Sequence, residues 1–166
     1  MENRVKKYYA VGIVFTAVLG TLSHFFYQWS GENPLVAFFS PVNESTWEHM
    51  KLLFFPMLIC SLFLSAQLRE SLPSLPGALF FGNILGTMSI PVLFYTYSGI
   101  LGRTVIAVDI AIFFAAVLTA WGTAWKLKES DRVYRCRMLL YGLTFLLFAL
   151  FVFFTLRVPG LPLFQA

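Results

Sequence analysis

The sequence predicts an all-α integral membrane bundle of five transmembrane helices, and three observations predict it. Hydrophobic residues make up 58% of the 166 residues and charged residues only 12%, with a mean hydropathy of +0.75; soluble domains carry about twice that share of charge. The apolar residues gather into five runs near 8–29, 45–68, 77–98, 104–126 and 137–157, each matching the about 20 residues a helix needs to cross the hydrocarbon core. Most basic residues stand at the ends of those runs, where membrane helices carry their topology signals. The expectation is a single transmembrane domain over residues 1–166, with no length left for a soluble one.

The first run follows Arg4, Lys6 and Lys7 and continues through Tyr27 and Trp29 without a small-residue cleavage site, so it is expected to stay as a span rather than leave as a secretory signal. A second run opens with Ser45-Thr46-Trp47-Glu48, a capping box in which the Glu48 carboxylate is expected to return to the Ser45 amide. Pro73 and Pro76 precede the third run, which contains Gly82-Asn83-Ile84-Leu85-Gly86, a helix-contact motif in which Asn83 is expected to hydrogen-bond between helices. Pro91 is expected to kink that run, with Ser89 or Thr87 satisfying the carbonyl it frees. Gly99 and Gly102 mark the next connection, and Ala107, Ala111 and Ala115 form a small-residue stripe read as a packing face. A charged segment, 126–137, separates the fourth run from the fifth.

Counting basic residues on alternate sides groups Arg4, Lys6, Lys7, Arg69, Lys126, Lys128, Arg132, Arg135 and Arg137 against Lys51, Arg103 and Arg157. Nine against three places the N-terminus in the cytoplasm and, after five crossings, the C-terminus and the 30–44 connection outside. The net charge of +4 is thereby a topology signal and not a nucleic-acid footprint. Cys60 lies within an apolar run and Cys136 between Arg135 and Arg137, so they form neither a disulfide framework nor a metal knuckle.

Polar chemistry concentrates near the outer ends. At about 1.5 Å per residue, His24, His49 and Asp109 each lie roughly 7 Å from an outer end of their runs, one layer for three ionisable groups. Gln28 follows His24 by one turn, and Tyr95 and Tyr97 close the third run near the same layer. Asp109 has only apolar neighbours in sequence and must face the bundle interior, be protonated or pair, with His24, His49 and Lys51 as the expected partners. Glu48 and Lys51 stand three residues apart and partly neutralise each other. Trp47 suits the interfacial aromatic belt, Asn43 caps the helix start or joins the site, and Glu44 is either solvated or a further ligand. The sequon Asn43-Glu44-Ser45 lies too near the membrane to be read as a glycosylation site.

Two histidines on antiparallel neighbouring runs at matching depth are compatible with a shared metal, a haem or a proton relay. Together with Asp109 they offer a nitrogen and oxygen donor set that a divalent metal such as zinc accepts, against which stands the absence of any local H-E-x-x-H spacing. The haem reading is the weaker, because no second haem feature accompanies the pair.

The run 40–51, Ser-Pro-Val-Asn-Glu-Ser-Thr-Trp-Glu-His-Met-Lys, resembles the signature of an uncharacterised family of small bacterial polytopic membrane proteins. That resemblance implies a bacterial plasma (inner) membrane setting over the whole chain, and it brings attention to Asn43, Glu44, Trp47, Glu48, His49 and Lys51 without implying an activity. Three functions compete. The first is a polar pocket near the extracytoplasmic face that binds a small solute, an ion or a lipid head group, with or without transport. The second is an intramembrane hydrolase of a lipid-linked substrate, using a metal-bound water or a Glu48 or Asp109 base. The third is an accessory subunit whose helix faces contact a protein partner.

Overall fold

The structure, a computed structural model, describes residues 2–165, and among them every regular element is helical. The elements are α1 (Glu2–Trp29), a short α2 (Pro34–Ala37), α3 (Thr46–Leu68), α4 (Leu75–Leu101), α5 (Ile106–Leu127) and α6 (Asp131–Leu156), followed by a single 3-10 turn at Pro162–Phe164. Five of these helices, α1 and α3 to α6, are long and apolar enough to cross a membrane.

Helix ends run past the apolar runs wherever polar residues can continue a helix in water. The segment 126–137, expected as a connection, is mostly helical: α6 begins at Asp131, and only a short link separates it from α5. Likewise α1 starts at Glu2, where Lys6 pairs with the Glu2 carboxylate at 2.6 Å, and Lys6 holds that carboxyl below its usual range. Gly99 lies inside α4, while Gly102, at φ 65°, supplies the left-handed residue that ends it. The 30–44 connection is interrupted by α2, whose first amides are capped by the Asn33 side chain, 2.9 Å from the Leu35 nitrogen.

α3 is the most enclosed helix, packed against α1 and α4, while α4 also contacts α5 and α6. Small residues set these distances. A Cβ at Gly82 or Gly86 would collide with the Ala120 backbone or side chain, so the motif does bring α4 against α5. The matching face of α5, however, is Ala116, Ala120 and Ala124, all buried, whereas Ala107, Ala111 and Ala115 are exposed. The expected stripe is therefore corrected by about a third of a helical turn, since both sets repeat every four residues and only the partner helix chooses between them.

Hydrogen bonds cross the bundle at few points. Asn83 donates from Nδ2 to the Phe54 carbonyl at 3.1 Å, joining α4 to α3, and the Trp121 indole donates to Thr16 Oγ1 at 3.1 Å, joining α5 to α1. Pro56, within α3, leaves the Leu52 carbonyl without its helical donor, and α1 approaches that oxygen so closely that only a hydrogen fits at Gly20. Around Pro91 the expected compensation does not form. Ser89 Oγ donates to the Gly86 carbonyl at 2.6 Å and Thr87 Oγ1 to Asn83 Oδ1 at 3.4 Å, because each hydroxyl reaches the preceding turn of its own helix first.

Candidate functional site

The start of α3 organises one end of the bundle. Ser45 is the N-cap, its Oγ accepting from the Glu48 amide at 3.4 Å. The reciprocal half of the expected capping box is absent. Asn43 Oδ1 already accepts from the Ser45 amide at 2.9 Å, so the Glu48 carboxylate turns instead to the Val42 amide, 3.0 Å away, and to Lys51.

Lys51 is fully buried, and its ammonium makes three contacts: Glu48 Oε2 at 2.6 Å, the Ala37 carbonyl at 2.9 Å and Thr155 Oγ1 at 2.7 Å. An ammonium has three N–H donors, so none is left for a ligand. The contacts lie on α2, α3 and α6, and the Glu48–Lys51 pair fastens these elements together. Thr155, 104 residues away from Lys51 in the chain, carries no signal in the sequence that would have found it.

Trp47 is a second correction. Instead of sitting in an interfacial belt it is buried, with its ring 4.7 Å from Phe151 and 4.9 Å from Phe164, measured between centroids. The 3-10 turn at the end of the chain folds back and covers it, removing the indole from the surface; the indole nitrogen has no hydrogen-bond partner. This aromatic packing serves the core.

His24 and His49 do meet. Their rings lie 5.3 Å apart at an interplanar angle of 36°, on neighbouring helices α1 and α3. The Glu44 carboxylate stands between them, with Oε1 3.7 Å from His24 Nε2 and Oε2 3.4 Å from His49 Nε2. His49 Nδ1 is 2.9 Å from the Ser45 carbonyl oxygen. A carbonyl only accepts, so Nδ1 carries a hydrogen, and Nε2 is the nitrogen that faces Glu44. His24 Nδ1 is buried without a partner. Next to this group lies a small cleft of about 100 Å³, lined by His24, Tyr27, Gln28, Glu32, Asn43 and Glu44. Tyr27 and Glu32 were not singled out by sequence reasoning. Glu32 reaches the cleft from the turn after α1 at φ 61°, a conformation unusual for a residue other than glycine or asparagine.

Asp109 belongs elsewhere. It accepts a hydrogen bond from the Tyr97 hydroxyl, which in turn accepts from the Val105 amide at 3.1 Å. It forms no ion pair with His24, His49 or Lys51 among the described residues, and the donor group that gathers around the histidines contains Glu44 in its place. The short turn between α4 and α5 explains this: a side chain at the first turn of α5 meets the last turns of α4 before it can reach α1 or α3. Tyr95, two residues and so about 200° around α4 from Tyr97, is exposed with its ring against Phe94.

No curated protein and no solved structure matches the chain. A family model does match, over residues 1–166, and it carries no activity in its description. Its span includes all five long helices and every residue of the cleft: the chain belongs to the family of unknown function DUF6512.

Proposed function

We propose that the chain is a polytopic protein of the bacterial plasma membrane that uses the cleft between α1 and the 41–44 segment to bind a small polar solute or ion from the extracytoplasmic side. The observation that carries this reading is the convergence of His24, Gln28, Asn43 and Glu44 on one cleft. Polar side chains from two separate segments meeting at one small cleft are the arrangement expected of a binding site for a small polar species. A volume of about 100 Å³ suits an ion or a solute of a few heavy atoms and is too small for a whole lipid head group.

Orientation follows from the basic residues. With Lys51 buried in an ion pair, the flanking charges count nine against two, which supports a cytoplasmic N-terminus and an external cleft. Cysteine labelling at Glu32→Cys in intact cells tests this: reaction with an impermeant maleimide is the expected result, and protection until the cells are opened removes the reading.

The hydrolase alternative keeps its metal-bound-water route, while the two side-chain bases it named are engaged elsewhere. Glu48 is committed to Lys51 and Val42, and Asp109 to Tyr97. The binding reading itself is tested by thermal unfolding of the detergent-purified protein with a panel of zinc, manganese, phosphate, acetate and glycine. A species that binds only the folded form raises its stability, and an unfolding temperature that none of them moves counts against the pocket.

A further inference from the structure

The geometry points to a divalent transition-metal site of the zinc type formed by His24, Glu44 and His49, open to the cleft at its fourth position. The inference rests on the reading of the cleft as a binding pocket and names its occupant.

The first argument is spacing. The carboxylate oxygens stand 3.4 and 3.7 Å from the two Nε2 atoms, beyond the about 2.7–3.2 Å of a well-formed hydrogen bond. Donors sharing one tetrahedral zinc through bonds of about 2.0 Å lie roughly 3.3 Å apart. The separations, each to a different carboxylate oxygen, are long for hydrogen bonds and close to that needed to share an ion; they also fit ion pairs of a protonated histidine, which the zinc measurements below distinguish. One ligand atom from each of the three residues lies within 4.8 Å of the other two.

The second argument is orientation. Histidines that ligate a metal normally donate the other ring hydrogen to a carbonyl or carboxylate, which fixes tautomer and ring angle. His49 does this through Ser45, at 2.9 Å. The N-cap of α3 therefore serves two purposes, since the residue whose hydroxyl starts the helix also aims the imidazole by its carbonyl.

The third argument is the donor set. Two imidazoles and a carboxylate suit zinc and neighbouring first-row metals, whereas calcium and magnesium prefer oxygen throughout. Three protein ligands leave one tetrahedral position free. Both histidine side chains are 31% exposed and Glu44 is 71% exposed, so the site is reached from the cleft. Of the other acids, Glu48 is sealed by Lys51 and Asp109 bonded to Tyr97, while Glu32 lines the same cleft.

Equilibrium dialysis of the full chain in mild detergent, stripped with a chelator and then offered zinc, tests the assignment together with thermal unfolding. The expected result is one zinc per chain and a raised unfolding temperature. Cobalt in place of zinc is expected to give the intense visible bands of a four-coordinate site. His24→Ala, His49→Ala and Glu44→Gln should each weaken zinc by more than tenfold, while Asp109→Asn leaves it unchanged. Glu44→Gln alters an exposed side chain, so it keeps the test meaningful if a histidine variant misfolds. Zinc bound equally well by all three variants overturns the assignment. So does a folded protein that binds no zinc; if phosphate, acetate or glycine then raises the unfolding temperature, the pocket stands with a different occupant, and if none does, the pocket falls as well.

Discussion

Glu48 and Lys51 point into the bundle with every ammonium donor used, whereas Glu44, drawn from the same short segment, lines the cleft with its carboxylate 3.4 Å from His49 Nε2 and 3.7 Å from His24 Nε2. The two groups contain similar residue types, and their difference is one of completion. A buried charge pair stabilises a fold only when its remaining donors and acceptors are also satisfied, and Ala37, Val42 and Thr155 satisfy this one. The exposed group lacks such partners. Closed polar networks hold elements together; open ones of the same chemistry are available to something that arrives from outside.

Four experiments test this contrast. The largest effect is expected for Lys51→Ala, which leaves the Glu48 carboxylate buried without its cation and should cost about 3–5 kcal/mol in unfolding free energy. Adding Glu48→Gln to Lys51→Met should recover most of the loss, and a double variant as unstable as the single one would mean that the pair is not what fastens α2, α3 and α6. Next comes the open group. Zinc at about 100 times its dissociation constant should stabilise the wild type by about 2.7 kcal/mol, while Glu44→Gln without metal should change stability by no more than about 0.5 kcal/mol, as surface substitutions do. A large loss in the metal-free variant would make Glu44 a structural residue like Glu48.

Tyr97→Phe is expected to have an intermediate effect of about 1–2 kcal/mol, because it strands both the Asp109 carboxylate and the Val105 amide. Its zinc affinity should not change; a decrease would tie Asp109 to the cleft after all. The smallest effect is expected at Glu32. Its left-handed backbone costs about 1–2 kcal/mol in a residue with a Cβ, and Glu32→Gly relieves that while adding unfolded-chain entropy worth about 0.5–1 kcal/mol. A net gain of about 0.5 kcal/mol in chemical denaturation is the outcome that places backbone strain at the cleft and not in the sealed network.

Several of these features were legible beforehand. The pairing of Glu48 with Lys51 follows from helical spacing alone, and the approach of His24 to His49 follows from equal depth on consecutive antiparallel helices. Asn83 was readable as an interhelical donor for the same reason: a lone amide in an apolar run needs a partner. Asp109 was placed wrongly because depth gives height in the membrane and says nothing about direction around the bundle. Trp47 was misread since nothing local announces that Phe164 will return to cover it.

Five apolar helices, their order and their approximate ends were readable from the sequence, because these depend on hydrocarbon thickness and on the regular rise of a helix. Tertiary structure alone decided which alanines of α5 face α4, that Lys51 reaches Thr155, and that Glu44 rather than Asp109 completes the group around the histidines. Those choices depend on the rotation of each helix about its axis and on the path of the 30–45 connection. Both are set by packing between distant parts of the chain, which no local spacing records.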